Sequence, residues 1–374
     1  MELINIVPLP LSQEKVANRQ SARVLIVGSP YAHHNREVFL QKFTRLLSEV
    51  SESVCVVGAN EPADRDNVSW IQTEIPDEIR GIGRYTAYVK KQLEAIQLAR
   101  DYDSEYDTVF VRITHFFLPG LWARFQGKQS ATIVTQQTVH PLINRLQKLN
   151  FVLSKNLLVE SPGVLAEWNG ESYCKKAIVG ATYVDAEQYY KTMSYSERDL
   201  SVGYLGSLNQ RKGVDKLLEA FKQLAEGKRD ITLKIGGTGP LSDDAEMLAE
   251  RYETIEYQGF VPNENLREFY NELKLFVLPS TSEGLPNVTL EAMACGTPVL
   301  ATPVGGLPDI IEERETGYLL KSNNPSNIEA KIQHILRYDD LTKVSEQAKA
   351  VIEDEYRYED AVARYEHLLY HELS

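Results

Sequence analysis

The chain has 374 residues, enough for two domains of ordinary size, each with its own core. Hydrophobic residues make up 43% and charged residues 25%, a globular balance, and a formal net charge of -13 argues against broad, nonspecific nucleic-acid binding. Cys55, Cys174 and Cys295 lie far apart, which excludes a disulfide framework or a zinc spacing and points to a reducing compartment.

The opening stretch, MELINIVPLPLSQEKVANRQ, has acidic Glu2 and no long apolar core, so it makes a poor signal peptide. No apolar run approaches the roughly 20 residues that span a bilayer. A cytoplasmic protein is expected, with contact at the inner face of a membrane as a further reading. Short apolar runs at 24–28, 54–57, 108–113, 132–135 and 157–159 read as strands, separated by helical segments such as 36–50 and 84–101. The second half repeats the plan. Strands are expected at 202–206, 231–236, 254–258, 275–279 and 298–301, and helices at 214–225, 243–252, 265–272 and 286–295. Alternating strands and helices predict parallel sheets covered on both faces. The polar stretch 189–200 breaks the pattern, so domains are expected at 1–190 and 191–354, with a final helix at 355–374.

The most informative stretch is Leu278-Pro-Ser-Thr-Ser-Glu283-Gly284-Leu285-Pro286-Asn287-Val288-Thr-Leu-Glu291-Ala-Met-Ala-Cys-Gly296. A strand ends, a polar loop follows, and a helix starts near Pro286, which suits a first helical turn. The amides of Asn287 and Val288 and the helix dipole make a site for an anion such as a diphosphate, and Gly284 lets backbone approach it. Glu283 and Glu291 are expected to face the same strand-end crevice and to accept hydrogen bonds from sugar hydroxyls. Taken alone, such a pair reads more readily as a helix-end charge and a solvated helix residue.

The block from Glu283 to Val299, with the following Val304-Gly-Gly-Leu-Pro-Asp-Ile-Ile and Thr316-Gly-Tyr-Leu-Leu, resembles the E-x7-E signature of the retaining glycosyltransferase family 4. The likeness is strong from about 201 to 320. It implies an α/β fold of the GT-B type: two Rossmann-like domains facing a central cleft, with a C-terminal helix crossing back to the N-terminal domain. In that family the first glutamate contacts the donor sugar and the second the ribose, and the Gly-Leu-Pro backbone approaches the sugar and phosphates. Those roles fall on Glu283, Glu291, Gly284, Leu285, Pro286 and Asn287.

Val202-Gly-Tyr-Leu-Gly206-Ser207-Leu-Asn-Gln-Arg211-Lys212-Gly213 resembles the turn that opens the family's donor domain, where a lysine contacts the diphosphate; Lys212 fits that place. A cation at the positive end of a helix is disfavoured unless something anionic sits there, and a departing nucleotide diphosphate needs one. The family's arginine five positions earlier is here Ser207, with Arg211 as a partial substitute. The turn Gly236-Gly237-Thr-Gly239-Pro and the segment Gly259-Phe260-Val261-Pro match donor-domain turns that approach the nucleotide.

The N-terminal half is fainter. Gly28 and Ser29, followed by Tyr31, His33 and His34, form a polar loop after the first strand that reads equally as an acceptor-side contact or an ordinary loop. Gln136 or Gln137 stands where many relatives carry a histidine, with His140 just beyond; glutamine can hydrogen-bond but not act as a base. His115 reads as structural. Leu142, Leu146, Leu149 and Leu153 share one face of a helix at 141–155, with Arg145, Lys148 and Lys155 nearby. A core-facing helix is the first reading and a basic amphipathic membrane surface the second.

The expected activity is transfer of a hexose-type sugar from a nucleotide-diphosphate sugar, UDP or GDP, to a glycan or lipid-linked acceptor. Lys212 and Glu283 would be catalytic, and no metal or other cofactor and no nucleic-acid partner is expected. A nucleotide-sugar-binding protein with impaired catalysis, motivated by Ser207 and the missing histidine, and a sugar-nucleotide epimerase are the alternatives.

Overall fold

The computed structural model describes residues 22–28, 34–73, 82–101, 106–112, 118–134, 141–227 and 231–373. The chain forms two compact units. The first runs up to Tyr183 and resumes at Tyr358; the second is Val184–Arg357. The first division lies seven residues before 190/191 and the second three after 354/355.

The first unit holds strands β1 (Arg23–Val27), β2 (Ser53–Gly58), β3 (Val68–Gln72), β4 (Thr108–Arg112), β5 (Gln129–Val134), β6 (Asn156–Val159) and β7 (Ala177–Val179). They pair in parallel in the order β3-β2-β1-β4-β5-β6-β7. Alternate β1 residues enter opposite cores: Val24 and Ile26 pack with Phe43, Leu47 and Tyr365, while Leu25 and Val27 pack with Ala95 and Val109. Burial on both faces explains the unbroken apolar run. The final helix Tyr358–His367 belongs to this unit. Tyr365 meets Phe43 edge-on, Arg364 donates to the Val179 carbonyl, and Tyr370 donates to that of Val50. The chain therefore crosses back, as the resemblance implies.

The helix Pro141–Leu153 corrects the core-stripe reading. Leu149 is 40% exposed, whereas Asn150 and Phe151 are buried and Phe151 packs edge-on against Trp168. The buried face at this end of the helix is therefore the one that carries Phe151 rather than Leu149. The side chains of Leu142 and Leu146 lie outside the described residues.

The second unit holds β8 (Ser201–Leu205), β9 (Thr232–Gly236), β10 (Ile255–Gly259), β11 (Leu275–Leu278), β12 (Val299–Ala301) and β13 (Tyr318–Leu319), parallel in the order β10-β9-β8-β11-β12-β13. The chain builds outward from β8 to β10, then returns to the other side of β8 as β11. That reversal opens a crevice at the carboxyl ends of β8 and β11, where open α/β sheets bind ligands.

Residues 184–200 pack into this unit rather than forming a free linker. Arg198 is buried and donates to the carbonyls of Leu273 and Cys295 and to Thr297 Oγ1. Burial holds its pKa below the usual value. Replacing it by methionine would leave two buried carbonyls short of a donor, at a cost of roughly 2–5 kcal/mol. Chemical denaturation should show that loss in the unfolding transition; an unchanged midpoint would refute the anchoring role. Among the described residues no helix is long and apolar enough to cross a membrane.

Candidate functional site

The strand ends of the second unit are joined loop to loop. After β8, Gly206 N–H donates to the Gly236 carbonyl and Leu208 N–H to that of Thr238. Gly237 N–H donates to the Gly259 carbonyl, tying the turns after β9 and β10. Gly237 has φ +117°, and a Cβ there would lie 1.9 Å from the Gly206 carbonyl oxygen. After β12, Gly306 N–H donates to the Gly284 carbonyl at 2.8 Å, and Thr302 Oγ1 donates to the Ser280 carbonyl.

Lys212 is aimed by its own loop. Asn209 Oδ1 accepts the Lys212 N–H at 3.0 Å and caps a short turn, Gln210–Lys212, before the helix Val214–Glu226. Thr281 donates through both N–H and Oγ1 to the Arg211 carbonyl, each at 2.9 Å. The ammonium of Lys212 meets both Glu283 oxygens, at 2.6 and 2.8 Å. The lysine side chain is 14% exposed and that of the glutamate 3%. Such a pair roughly balances desolvation against attraction, and removing either member strands the other charge. The expected arrangement had Lys212 on a phosphate and Glu283 on a sugar; here the two side chains are bonded to each other.

The helix Asn287–Ala294 follows, with Pro286 as its N-cap rather than inside the first turn. Thr289 N–H closes back on the Pro286 carbonyl at 3.1 Å. One turn on, Glu291 is buried and accepts from Tyr270 Oη–H at 2.9 Å, so it is not a solvated helix residue. Burial, then the neighbouring Glu291 charge, raises the Tyr270 phenol well above its ordinary value, which keeps it a donor. Burial also pushes the Tyr204 phenol up, with Glu283 adding to it. Cys295, nearby, is pushed up to about 12 by burial and stays a thiol.

The other expected residues divide. Gly206, Gly237, Gly239 and Gly284 lie in the joined loops, and Gly239 N–H donates to Ser242 Oγ. Arg211 Nη1 is 3.4 Å from the Ser282 carbonyl, on the loop that carries Glu283. Ser207 is occupied locally: its Oγ accepts from Asn209 and its carbonyl from Tyr204 Oη–H. Phe260 is 72% exposed, while Val261, Leu285, Asn287 and Val288 are half-buried and Pro286 is buried. In the first unit, Gly28 closes β1 against the Val57 carbonyl. Ser29, Tyr31, His33, His115, Gln136, Gln137 and His140 lie outside the described residues, as does the side chain of His34, which opens the helix His34–Val50. Among the described residues no group of three His, Cys, Asp or Glu side chains is placed to hold a metal ion.

Sequence reasoning missed Asn209 and Tyr270. Asn209 carried a legible signal, an asparagine opening a turn that ends in glycine. Tyr270 carried none, because it reaches Glu291 only through the fold. Tyr270→Phe should cost about 1–3 kcal/mol of stability, because the buried Glu291 carboxylate loses the phenol donor. An unchanged midpoint in chemical denaturation would contradict that holding role.

Comparison with known proteins bears on this unit most directly. Residues 191–353 match the family Glycosyl transferases group 1. An uncharacterized glycosyltransferase of Methanocaldococcus jannaschii is 33% identical over 156 residues, covering 41% of this chain and 43% of that protein. The matched stretch thus spans less than half of that relative. Sucrose-phosphate synthase from Thermosynechococcus elongatus has a similar fold over 95% of this chain and 99% of its own, with a TM-score of 0.73 and 20% identity. Anabaena HepE, solved in complex with UDP-glucose, matches over 93% and 99% with a TM-score of 0.71 and 15% identity. The fold is two parallel-sheet, Rossmann-like units, shared with glycosyltransferases of the GT-B type.

Proposed function

We propose that this chain is a retaining, metal-independent glycosyltransferase that moves a hexose-type sugar from a nucleotide-diphosphate donor to a glycan or lipid-linked acceptor. The observation that carries the reading is the Lys212–Glu283 pair, set beside the start of the helix Asn287–Ala294 within the stretch that matches the group 1 family. In this reading Lys212 and the helix N-terminus stabilise the charge that grows on the leaving diphosphate. Glu283 exchanges part of its bond to Lys212 for a sugar hydroxyl, and Glu291, held by Tyr270, accepts from the ribose. UDP-sugars lead the list of donors because HepE was solved with one. The acceptor-side roles of Gly28, Ser29, Gln136, Gln137 and His140, and the nucleotide roles of Phe260 and Val261, belong to the same proposal.

A thermal-shift screen of UDP-, GDP- and ADP-sugars, with and without a chelator, followed by a transfer assay and NMR of the product anomer, tests it. Stabilisation by one donor class and transfer with the anomeric configuration kept are expected. Inversion, or chelator-abolished transfer, would overturn those parts of the reading. Ser207 favours a second reading, a donor-binding protein with weak catalysis, because its hydroxyl supplies no charge. Donor binding with neither transfer nor hydrolysis across a broad acceptor panel would select it.

A further inference from the structure

The helix Pro141–Leu153 presents a face for which the donor reading has no use. Arg145, Lys148, Leu149 and Val152 recur at the three- and four-residue spacing of a single helix face. That face points outward: Arg145 is exposed, Lys148 half-buried, Leu149 40% exposed and Val152 55%. The opposite face is closed off, with Asn150, Phe151 and Ser154 buried.

Two further elements, Leu118–Phe125 and Glu171–Lys176, meet this helix at its C-terminal end. Arg124 Nη1 donates to the Leu153 carbonyl at 2.9 Å, and Lys176 Nζ donates to the carbonyls of Phe151 and Ser154. Both cations satisfy the negative end of the helix. Phe125, next to Arg124, is 81% exposed, and Lys155 and Lys175 are exposed nearby in sequence. Neither 118–134 nor 141–156 contains an Asp or Glu, in a chain with 53 acidic residues against 40 basic ones.

A protein interface would gather its apolar side chains into a contiguous centre and leave charge to the rim. Here cations make up half of the face, Arg145 and Lys148 followed by Leu149 and Val152, and no carboxylate stands in the segment, a charge complement to a lipid headgroup layer. We propose that this face rests on an anionic lipid surface. Leu149, Val152 and Phe125 enter between headgroups, and Arg145, Lys148 and Lys155 meet their phosphates. The inference does not depend on the donor reading, since its test involves no sugar.

Flotation of the full chain with phosphatidylcholine vesicles, alone and doped with phosphatidylglycerol, tests it. Binding to the doped vesicles only, weakened by salt, is expected. Arg145→Gln with Lys148→Gln should lower partitioning about tenfold or more. Leu149→Ser with Val152→Ser should do likewise, with unchanged thermal midpoints in both pairs because the four side chains face outward. Failure to float, equal flotation by the variants, or binding indifferent to lipid charge would overturn the proposal. So would a concentration-dependent dimer in sedimentation that the same substitutions abolish without any vesicle binding.

Discussion

Replacing Lys212 by alanine is expected to lower kcat by about 10²–10³-fold, the usual cost of removing one group that stabilises transition-state charge. Glu283→Ala should fall comparably, because each side chain positions the other through contacts of 2.6 and 2.8 Å. The double variant should lose little more than either single one, since residues that act as a unit are not additive. A stability cost accompanies the single variants: a buried partner left alone costs about 3–5 kcal/mol. Circular dichroism and a thermal scan therefore belong beside the kinetics. Folded K212A with undiminished transfer would remove the lysine from the mechanism. Multiplied losses in the double variant would show two independent roles.

Gly213→Ala should be among the most damaging single-methyl changes in the loops. Gly213 has φ +70°, and a Cβ there would lie 2.1 Å from the Pro279 carbonyl oxygen, so the loops bearing Lys212 and Glu283 would have to part. A cost of about 3 kcal/mol or more is expected, combining backbone strain with the displaced loop. Gly259→Ala is the control. Its φ is +62°, but nothing lies within 4 Å of the added carbon, so only the strain of about 1–2 kcal/mol remains. Denaturant unfolding of the two variants side by side decides the matter; equal costs would mean that the close approach at Pro279 is not what selects glycine.

Much of the second unit could be read along the chain. Its strands are short buried runs and its helices carry one apolar face, as in Val214–Glu226 with Val214, Leu217, Leu218 and Phe221 inside. Local chemistry of that kind is set by residues within a turn or two of each other. Both edge strands of the first unit were missed: β3 is only half-buried, its apolar residues interrupted by Ser69 and ended by Gln72, and β7 is three residues long. Neither carries the continuous hydrophobic signal of a central strand.

What the chain by itself determined is the pair of α/β units, the turn that ends in Lys212, and the loop and helix that carry Glu283 and Glu291. What only tertiary structure decided is who meets whom. Glu283 bonds Lys212 across 71 positions, and Tyr270 reaches Glu291 across 21. In the helix Pro141–Leu153, Phe151 packs on Trp168 while Leu149 stays 40% exposed, a choice the leucine spacing does not show. The physical reason is common to all three. Periodicity and turn chemistry act over a few residues, whereas burial and ion pairing depend on the sheet orders that bring β8 beside β11 in the second unit and β5 beside β6 in the first.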